Sequence, residues 1–410
     1  LRPAGTAARL GSVGIAAVLL LLGAAPQLPS AAQAAAAAPR IVPGTRHMID
    51  PKADTDGPIV IGPTGIGYVA WMHPTSGSTS DAVLFCVIPV GGTCTKPVTL
   101  VIPGGTGLEQ EVTQPYPELG APGVIYVVGP RYVMSDSVIW TSANGGSSFS
   151  AGHAVPNSYA GNTVVDDVLA IPNLKQPAYE YFSIASHNVG LGFSLTGALT
   201  RDCAAVRDCA LTFGATGVAG ATLGFNGSSA VEAYWNLTTK SRPTVSYYWS
   251  ASNDLPYASY WHGPITVGAG INARLAGGPG GLFLLSQDFV GTESQPTRLD
   301  VRKWNPTTHT FAAPVQIVND TSSTGSAAIG GLGEDTVTGA LYVVWGGRSG
   351  SEDVVRLWTS TDGGAKWSAV TDVSKIYGIY GGPARLAVRN GTGYLTYDDG
   401  GLVAVDLSHI

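Results

Sequence analysis

The sequence predicts an all-β fold, a ring of seven four-stranded antiparallel blades forming a β-propeller, with six blades as the alternative count. Three observations carry that expectation. Short apolar runs with a central aromatic recur along the chain, and the markers Tyr68, Tyr126, Tyr181, Tyr234, Phe283, Tyr342 and Tyr394 are spaced by 58, 55, 53, 49, 59 and 52 residues. A second ladder, Trp140, Trp249, Trp304 and Trp358, ends strand-like runs at spacings of 109, 55 and 54, and Cys86 stands 54 residues before its first rung. The 410 residues are also punctuated by 55 Gly and 27 Pro, which suits short strands joined by tight turns. A repeat of this length, read as four strands per unit, is that of a propeller blade.

Within each unit the strands follow in order. A small apolar run comes first, as in Pro58 to Ile61, Ile271 to Leu275 and Ala384 to Val388. The aromatic run comes second, the run ending at Trp or Cys third, and a run such as Pro97 to Ile102 or Pro314 to Val318 fourth. A lone four-stranded sheet exposes both faces, whereas a ring packs each face on a neighbour and leaves only short edges. The repeating aromatics are therefore read as packing between blades. The last unit has three runs, the third being Leu402 to Leu407, so the segment Arg40 to Ile49 is expected to supply its fourth strand and close the ring.

Only 12% of residues are charged and the net charge is -6, which excludes a coiled coil, a charge-rich disordered chain and a basic nucleic-acid binder. Arg2 and Arg9 precede an apolar run from Val13 to Ala25, followed by small residues through Ala38, the pattern of a signal peptide. That run is shorter than the ~20 residues a membrane-spanning helix needs. Residues 1–38 are thus expected to be the signal, and residues 39–410 a secreted, extracellular propeller domain with no membrane span, acting as a monomer. The Ala/Pro-rich style points to a bacterial source. Cys86 with Cys94, and Cys203 with Cys209, read as two local disulfides, each covering a turn between third and fourth strands, with zinc as the alternative.

In the sixth unit Ser360, Asp362, Gly364 and Trp367 fit S-x-D-x-G-x-x-W, an Asp-box. Ser142, Asn144, Gly146 and Phe149 form a degenerate copy 218 residues earlier, four periods away. The chemistry suits a turn between third and fourth strands: the Asp accepts backbone N–H bonds, Gly tolerates positive φ and Trp anchors the loop. On these residues the chain resembles the sialidase-like propellers, a superfamily of secreted bacterial proteins acting on or binding glycans. The resemblance implies that these turns are structural and that any site lies on the opposite rim. It also implies, for sialidase activity, an early Arg-Ile-Pro motif, three arginines clamping a carboxylate, a Tyr nucleophile with a Glu partner, and an Asp acid. The nearest early match, Arg40, Ile41, Val42, Pro43, carries an inserted Val42.

The opposite rim carries the connections from second to third strands and from fourth to next first strands. His73, Arg298 and Arg348 are placed in the former, with Arg274 and Arg385 in first strands near the axis. These five are the candidate ligand-binding residues. Arg274 and Arg385 are read either as paired with a local Asp or solvated in the channel, or as poorly compensated cations that attract an acidic sugar. Glu232 and Tyr234 share one face of a strand and are the weak catalytic candidates. Asp166 and Asp167 offer paired carboxylates, although neighbours in a strand point to opposite faces. Asp50, Asp54 and Asp56 before Gly57 are read as a solvated loop rather than a calcium site, so no metal and no cofactor are expected. The expected function is a non-catalytic recognition module for a glycan or surface protein, with a sialidase-type exo-glycosidase as the alternative.

Overall fold

The structure, a computed structural model, describes residues 45–75, 81–103, 112–131, 136–155, 163–172, 180–188, 194–199, 210–213, 218–236, 243–251, 261–289, 296–319, 330–349, 352–368, 371–375 and 384–407. Residues 1–44 lie outside the described residues.

Seven antiparallel sheets are found among the described residues. Their first strands are Ile59–Ile61, Tyr116–Leu119, Thr163–Pro172, Val218–Phe225, Ile271–Gly278, Gly330–Glu334 and Arg385–Arg389. Each first strand touches the next, and the seventh returns to the first, so the inner strands surround a central channel. The seven aromatic markers all fall in second strands, while Cys86 and the four Trp rungs fall in third strands. In the fifth blade the fourth strand is divided: Thr310–Phe311 and Val315–Asn319 pair with different parts of Pro296–Asn305.

The core lies between blades. Phe85, Val127 and Trp140 pack in one interface, Val231, Tyr247 and Leu284 in another, Phe283, Leu285 and Val343 in a third. Each is a set of alternate residues from facing sheets, as expected where both faces of a blade are covered.

Thr45–Asp50 pairs antiparallel with Leu402–Asp406 and supplies the outermost strand of the seventh blade. At its end Asp50 Oδ2 accepts from Trp71 Nε1 at 2.7 Å and lies 2.6 Å from His73 Nδ1, tying this closing strand to the first blade. Residues 40–44 of the expected closing segment lie outside the described residues.

The turns between third and fourth strands use two devices. In the sixth blade Ser360 Oγ accepts from Gly364 N at 2.9 Å, Asp362 Oδ1 accepts from Lys366 N at 2.9 Å, and Trp367 Nε1 donates to Gly364 O at 3.2 Å. Gly364 has φ +84°, so the turn needs its missing side chain. The degenerate copy keeps the pattern, with Ser142 Oγ bonded to Gly146 N at 2.8 Å and Asn144 Oδ1 to Ser148 N at 3.0 Å. In the first blade a Cys86–Cys94 disulfide covers the same turn. Cys203 and Cys209 lie outside the described residues.

Candidate functional site

First strands run from the rim bearing the interblade connections, here the loop face, toward the rim bearing the Asp-box turns. Their side chains divide the channel into two levels. At mid-height Val60, Leu169, Leu223, Leu275, Leu332 and Leu386 form an aliphatic collar. Above it a cavity of about 200 Å³ is walled by Tyr116, Asp167, Thr222, Arg274 and Arg385. This is smaller than the ~300–1,000 Å³ of a usual drug-sized pocket and matches a single sugar ring better than an oligosaccharide.

Arg385 opens the first strand of the seventh blade and reaches across the channel. Its Nε donates to Asp56 Oδ2 at 3.1 Å, its Nη2 to the Asp166 carbonyl at 3.1 Å, and its Nη1 lies 3.7 Å from Asp167 Oδ1. The guanidinium also lies 5.8 Å from the Tyr116 ring centre. Burial alone would lower its pKa, but Asp56, Tyr116 and Asp167 outweigh burial and raise it above the ordinary value. Burial likewise pushes the Tyr116 hydroxyl well up, against the opposing charge of Arg385.

Two local devices bring these carboxylates to the axis. Gly57 at φ +57° turns the chain just after Asp56, and a side chain there would meet Leu402 Cδ1 at 2.6 Å. Gln114 donates its side-chain amide to the other oxygen of Asp56. In the third blade the register shifts between Val165 and Asp167, so Asp166 is the extra residue of a bulge. The alternation expected for Asp166 and Asp167 therefore fails, and both carboxylates meet the first strand of the fourth blade. Asp166 Oδ2 accepts from Ala221 N at 3.1 Å, while Asp167 Oδ2 accepts from Thr222 Oγ1 at 3.0 Å and Leu223 N at 2.9 Å.

Arg274 stands in the same cavity under different conditions. Its Nη1 donates to the Ala273 carbonyl at 2.9 Å, its Nε has no hydrogen-bond partner, and its guanidinium lies 5.7 Å from the Trp235 ring centre. Among the described residues no carboxylate oxygen lies within ion-pair distance of it. Burial, then the nearby charge of Arg385, brings its pKa down to about 10 despite the more distant Asp167, Asp56 and Asp166.

The expectation that both arginines are poorly compensated is corrected for Arg385, because its partners come from the first and third blades. The other candidates whose side chains are described do not join this cavity. His73 closes the second strand of the first blade and bonds Asp50. Arg298 lies in a third strand, not in a connection, with Nη2 at 2.6 Å from Asp288 Oδ2 and Nε at 3.1 Å from Asp300 Oδ2. Arg348 lies in the second strand Leu341–Ser349. Glu232 is fully buried within the fourth blade, and Tyr234 stacks on Tyr248 at 5.8 Å between ring centres, its hydroxyl pKa raised by burial. Asp50 and Asp56 turn to separate partners, His73 with Trp71 and Arg385 with Gln114.

The comparisons with known proteins follow the fold. No family model and no curated protein matches the chain. Among solved structures, Hadza microbial sialidase Hz136 is 13% identical with a TM-score of 0.44, covering 82% of this chain and 75% of that one. Phage phi92 endosialidase is 10% identical with a TM-score of 0.47, covering 89% and 69%. The GH93 alpha-L-arabinofuranosidase of Fusarium graminearum, solved with arabinobiose, is 12% identical with a TM-score of 0.43, covering 72% and 92%.

Proposed function

We propose that this protein is a secreted, monomeric glycan-recognition propeller that seats a terminal acidic sugar in the loop-face cavity, with Arg274 as the anchor. The carrying observation is Arg274 itself: a guanidinium in the cavity wall, desolvated, with, among the described residues, an unpartnered Nε and no carboxylate within ion-pair distance. A desolvated cation without a carboxylate partner is costly, and a ligand carboxylate repays that cost through charge-assisted bonds.

Recognition without turnover is favoured because Asp56, Asp166 and Asp167 are already engaged. Asp56 bonds Arg385 and Gln114, Asp166 bonds the fourth blade, and Asp167 bonds Thr222, Leu223 and Val168 while facing Arg385. Glu232 and Tyr234 lie within a blade rather than in the channel wall. A sialidase-type exo-glycosidase remains the second reading, supported by one feature: Asp56 and Asp167 flank Arg385, and Asp167 lines the cavity, a pair of carboxylates of the kind glycoside hydrolysis uses.

A glycan array followed by titration of hits against wild type and Arg274→Ala tests the proposal. Binding of carboxylate-bearing glycans that falls at least about tenfold in the variant supports it, since tenfold corresponds to about 1.4 kcal/mol. Release of sugar from fluorogenic glycosides, sialosides included, would establish the enzyme instead. Absence of any glycan binding would defeat both readings.

A further inference from the structure

Arg274 is desolvated and pairs with no carboxylate among the described residues, so its guanidinium needs a support that leaves its N–H groups to a ligand. Trp235 is placed to give it. This residue stands in the second strand of the fourth blade, opposite Gly220 of the first strand and Val245 of the third. It is 8% exposed and packs with Ala273 and Leu275 of the fifth blade in the interface between the two blades. Its ring centre lies 5.7 Å from Arg274 Cζ, within the ~6 Å over which an aromatic face attracts a cation.

Glycine sets the position of the ring. A side chain on Gly220 would meet Trp235 Cη2 at 2.2 Å and Cζ2 at 2.3 Å, so the indole lies against the bare backbone of the first strand, the strand that borders the channel. The base of Arg274 is fixed as well. Leu275 N donates to Thr222 Oγ1 at 3.2 Å, joining the first strands of the two blades, and Arg274 Nη1 donates to the Ala273 carbonyl at 2.9 Å. Trp235 adds a hold on the guanidinium from the neighbouring blade.

The kind of hold matters. A carboxylate engages the N–H edge of a guanidinium, the same edge that a ligand carboxylate needs. An aromatic ring engages the face and leaves the edge free. Arg385 is held by its edge, through Asp56, whereas Arg274 lies over an indole. Asp167 stands in the same cavity wall and acts on Arg274 from beyond ion-pair distance. A guanidinium released from the ring would be drawn toward that carboxylate, and a ligand would then have to break the new pair.

We propose that Trp235 is the positioning residue of the upper cavity, holding the Arg274 guanidinium by its face so that its N–H edge stays open to the carboxylate of the bound sugar. This role rests on Arg274 being the anchor, and it makes acid specificity depend on a side chain outside the cavity wall. Pre-organisation of this sort strengthens binding by removing the cost of ordering a long side chain.

Methyl β-D-glucuronide and methyl β-D-glucoside, single rings that differ in carboxylate against hydroxymethyl, are the probes, titrated into the full chain by calorimetry. Wild type should prefer the glucuronide by about tenfold or more, and Arg274→Ala should lose that preference. Trp235→Leu should lower the preference by about fivefold or more, and Trp235→Phe, which keeps a smaller aromatic face and fills more of the interface, by about threefold. In the Arg274→Ala background Trp235→Leu should change the preference no further, because its influence passes through Arg274. A merely structural role would weaken the two sugars alike. No preference in wild type, or an unchanged preference in Arg274→Ala, would overturn the reading of Arg274 and this role with it. A preference that Arg274→Ala abolishes and Trp235→Phe keeps in full, or equal weakening of both sugars by the Trp235 variants, would overturn the role of Trp235 alone.

Discussion

Arg385 and Arg274 share one cavity, yet their surroundings differ in a way that separates scaffold from site. Arg385 is held from three directions, by Asp56 of the first blade and by Asp167 and the Asp166 carbonyl of the third. Arg274 has a backbone carbonyl, an aromatic ring at 5.7 Å and an unpartnered Nε. Two residues of one type, both in first strands, therefore contribute different things. One joins distant blades across the axis, and the other leaves binding capacity unused.

Stability measurements on substitutions at the two positions should expose that contrast. Arg385→Ala leaves Asp56 and Asp167 without their shared cation in a mostly buried setting, and breaking such pairs costs about 3–5 kcal/mol. The expected outcome is a large fall in the denaturant midpoint, with Arg385→Lys recovering only part because an ammonium cannot present the same fork of donors. Arg274→Ala removes a desolvated cation that no carboxylate pairs, so its midpoint should barely fall or should rise. Equal losses at the two positions would erase the distinction.

The neighbours Glu334 and Asp335 provide a second test of how environment decides what a charge does. Burial lifts Glu334 to about 7, whereas at Asp335 burial is outweighed by four backbone N–H bonds, from Val337, Gly391, Asn390 and Thr338, which bring it down to about 2. Folding therefore favours the protonated form of Glu334, so its contribution is most favourable below the ordinary value of 4.5 and declines as pH rises through 7. At about 1.4 kcal/mol for each unit of separation, that is a loss of about 3 kcal/mol. Glu334→Gln should accordingly be more stable than wild type at pH 8 and lose that advantage at pH 4, as read by thermal melts. Asp335 has the opposite sign. Its contribution, about 2 kcal/mol, is fully present above 3.8 and is lost as pH falls toward 2, so Asp335→Asn should flatten the acid limb of the stability curve.

A smaller effect is expected at the turn between the third and fourth strands of the first blade, where the disulfide Cys86–Cys94 closes a separation of 8 residues. Loop-closure entropy for so short a loop gives about 2.5 kcal/mol. Replacing both cysteines by serine should lower the melting temperature by an amount that does not depend on the upper cavity, leaving Arg274-dependent binding intact.

The sequence displayed the parts of this molecule that repeat. Tyr68, Tyr234 and Tyr394 mark second strands because every blade interface needs large side chains at that height, and the Asp-box and Cys86–Cys94 mark equivalent turns because each blade must reverse there. The cavity was visible only as unassembled residues. Arg274 and Arg385 stood out as charges in apolar first strands, but the partner of Arg385 lies 329 residues away in sequence, a distance that no local pattern encodes. Asp166 and Asp167 were legible as a carboxylate pair, but the bulge that turns both toward the fourth blade was not. Tyr116, whose ring faces Arg385, belongs to no repeating marker set and left no signal beyond its own hydrophobicity.

The most direct test of the upper-cavity account is a calorimetric titration of wild type and Arg274→Ala with the carboxylate-bearing sugar that binds best on an array, paired with its reduced, uncharged analogue. The account predicts that wild type prefers the acid by about tenfold or more and that Arg274→Ala loses this preference while retaining the wild-type melting temperature. An unchanged preference for the acid in Arg274→Ala, or equal binding of both sugars by wild type, would contradict it.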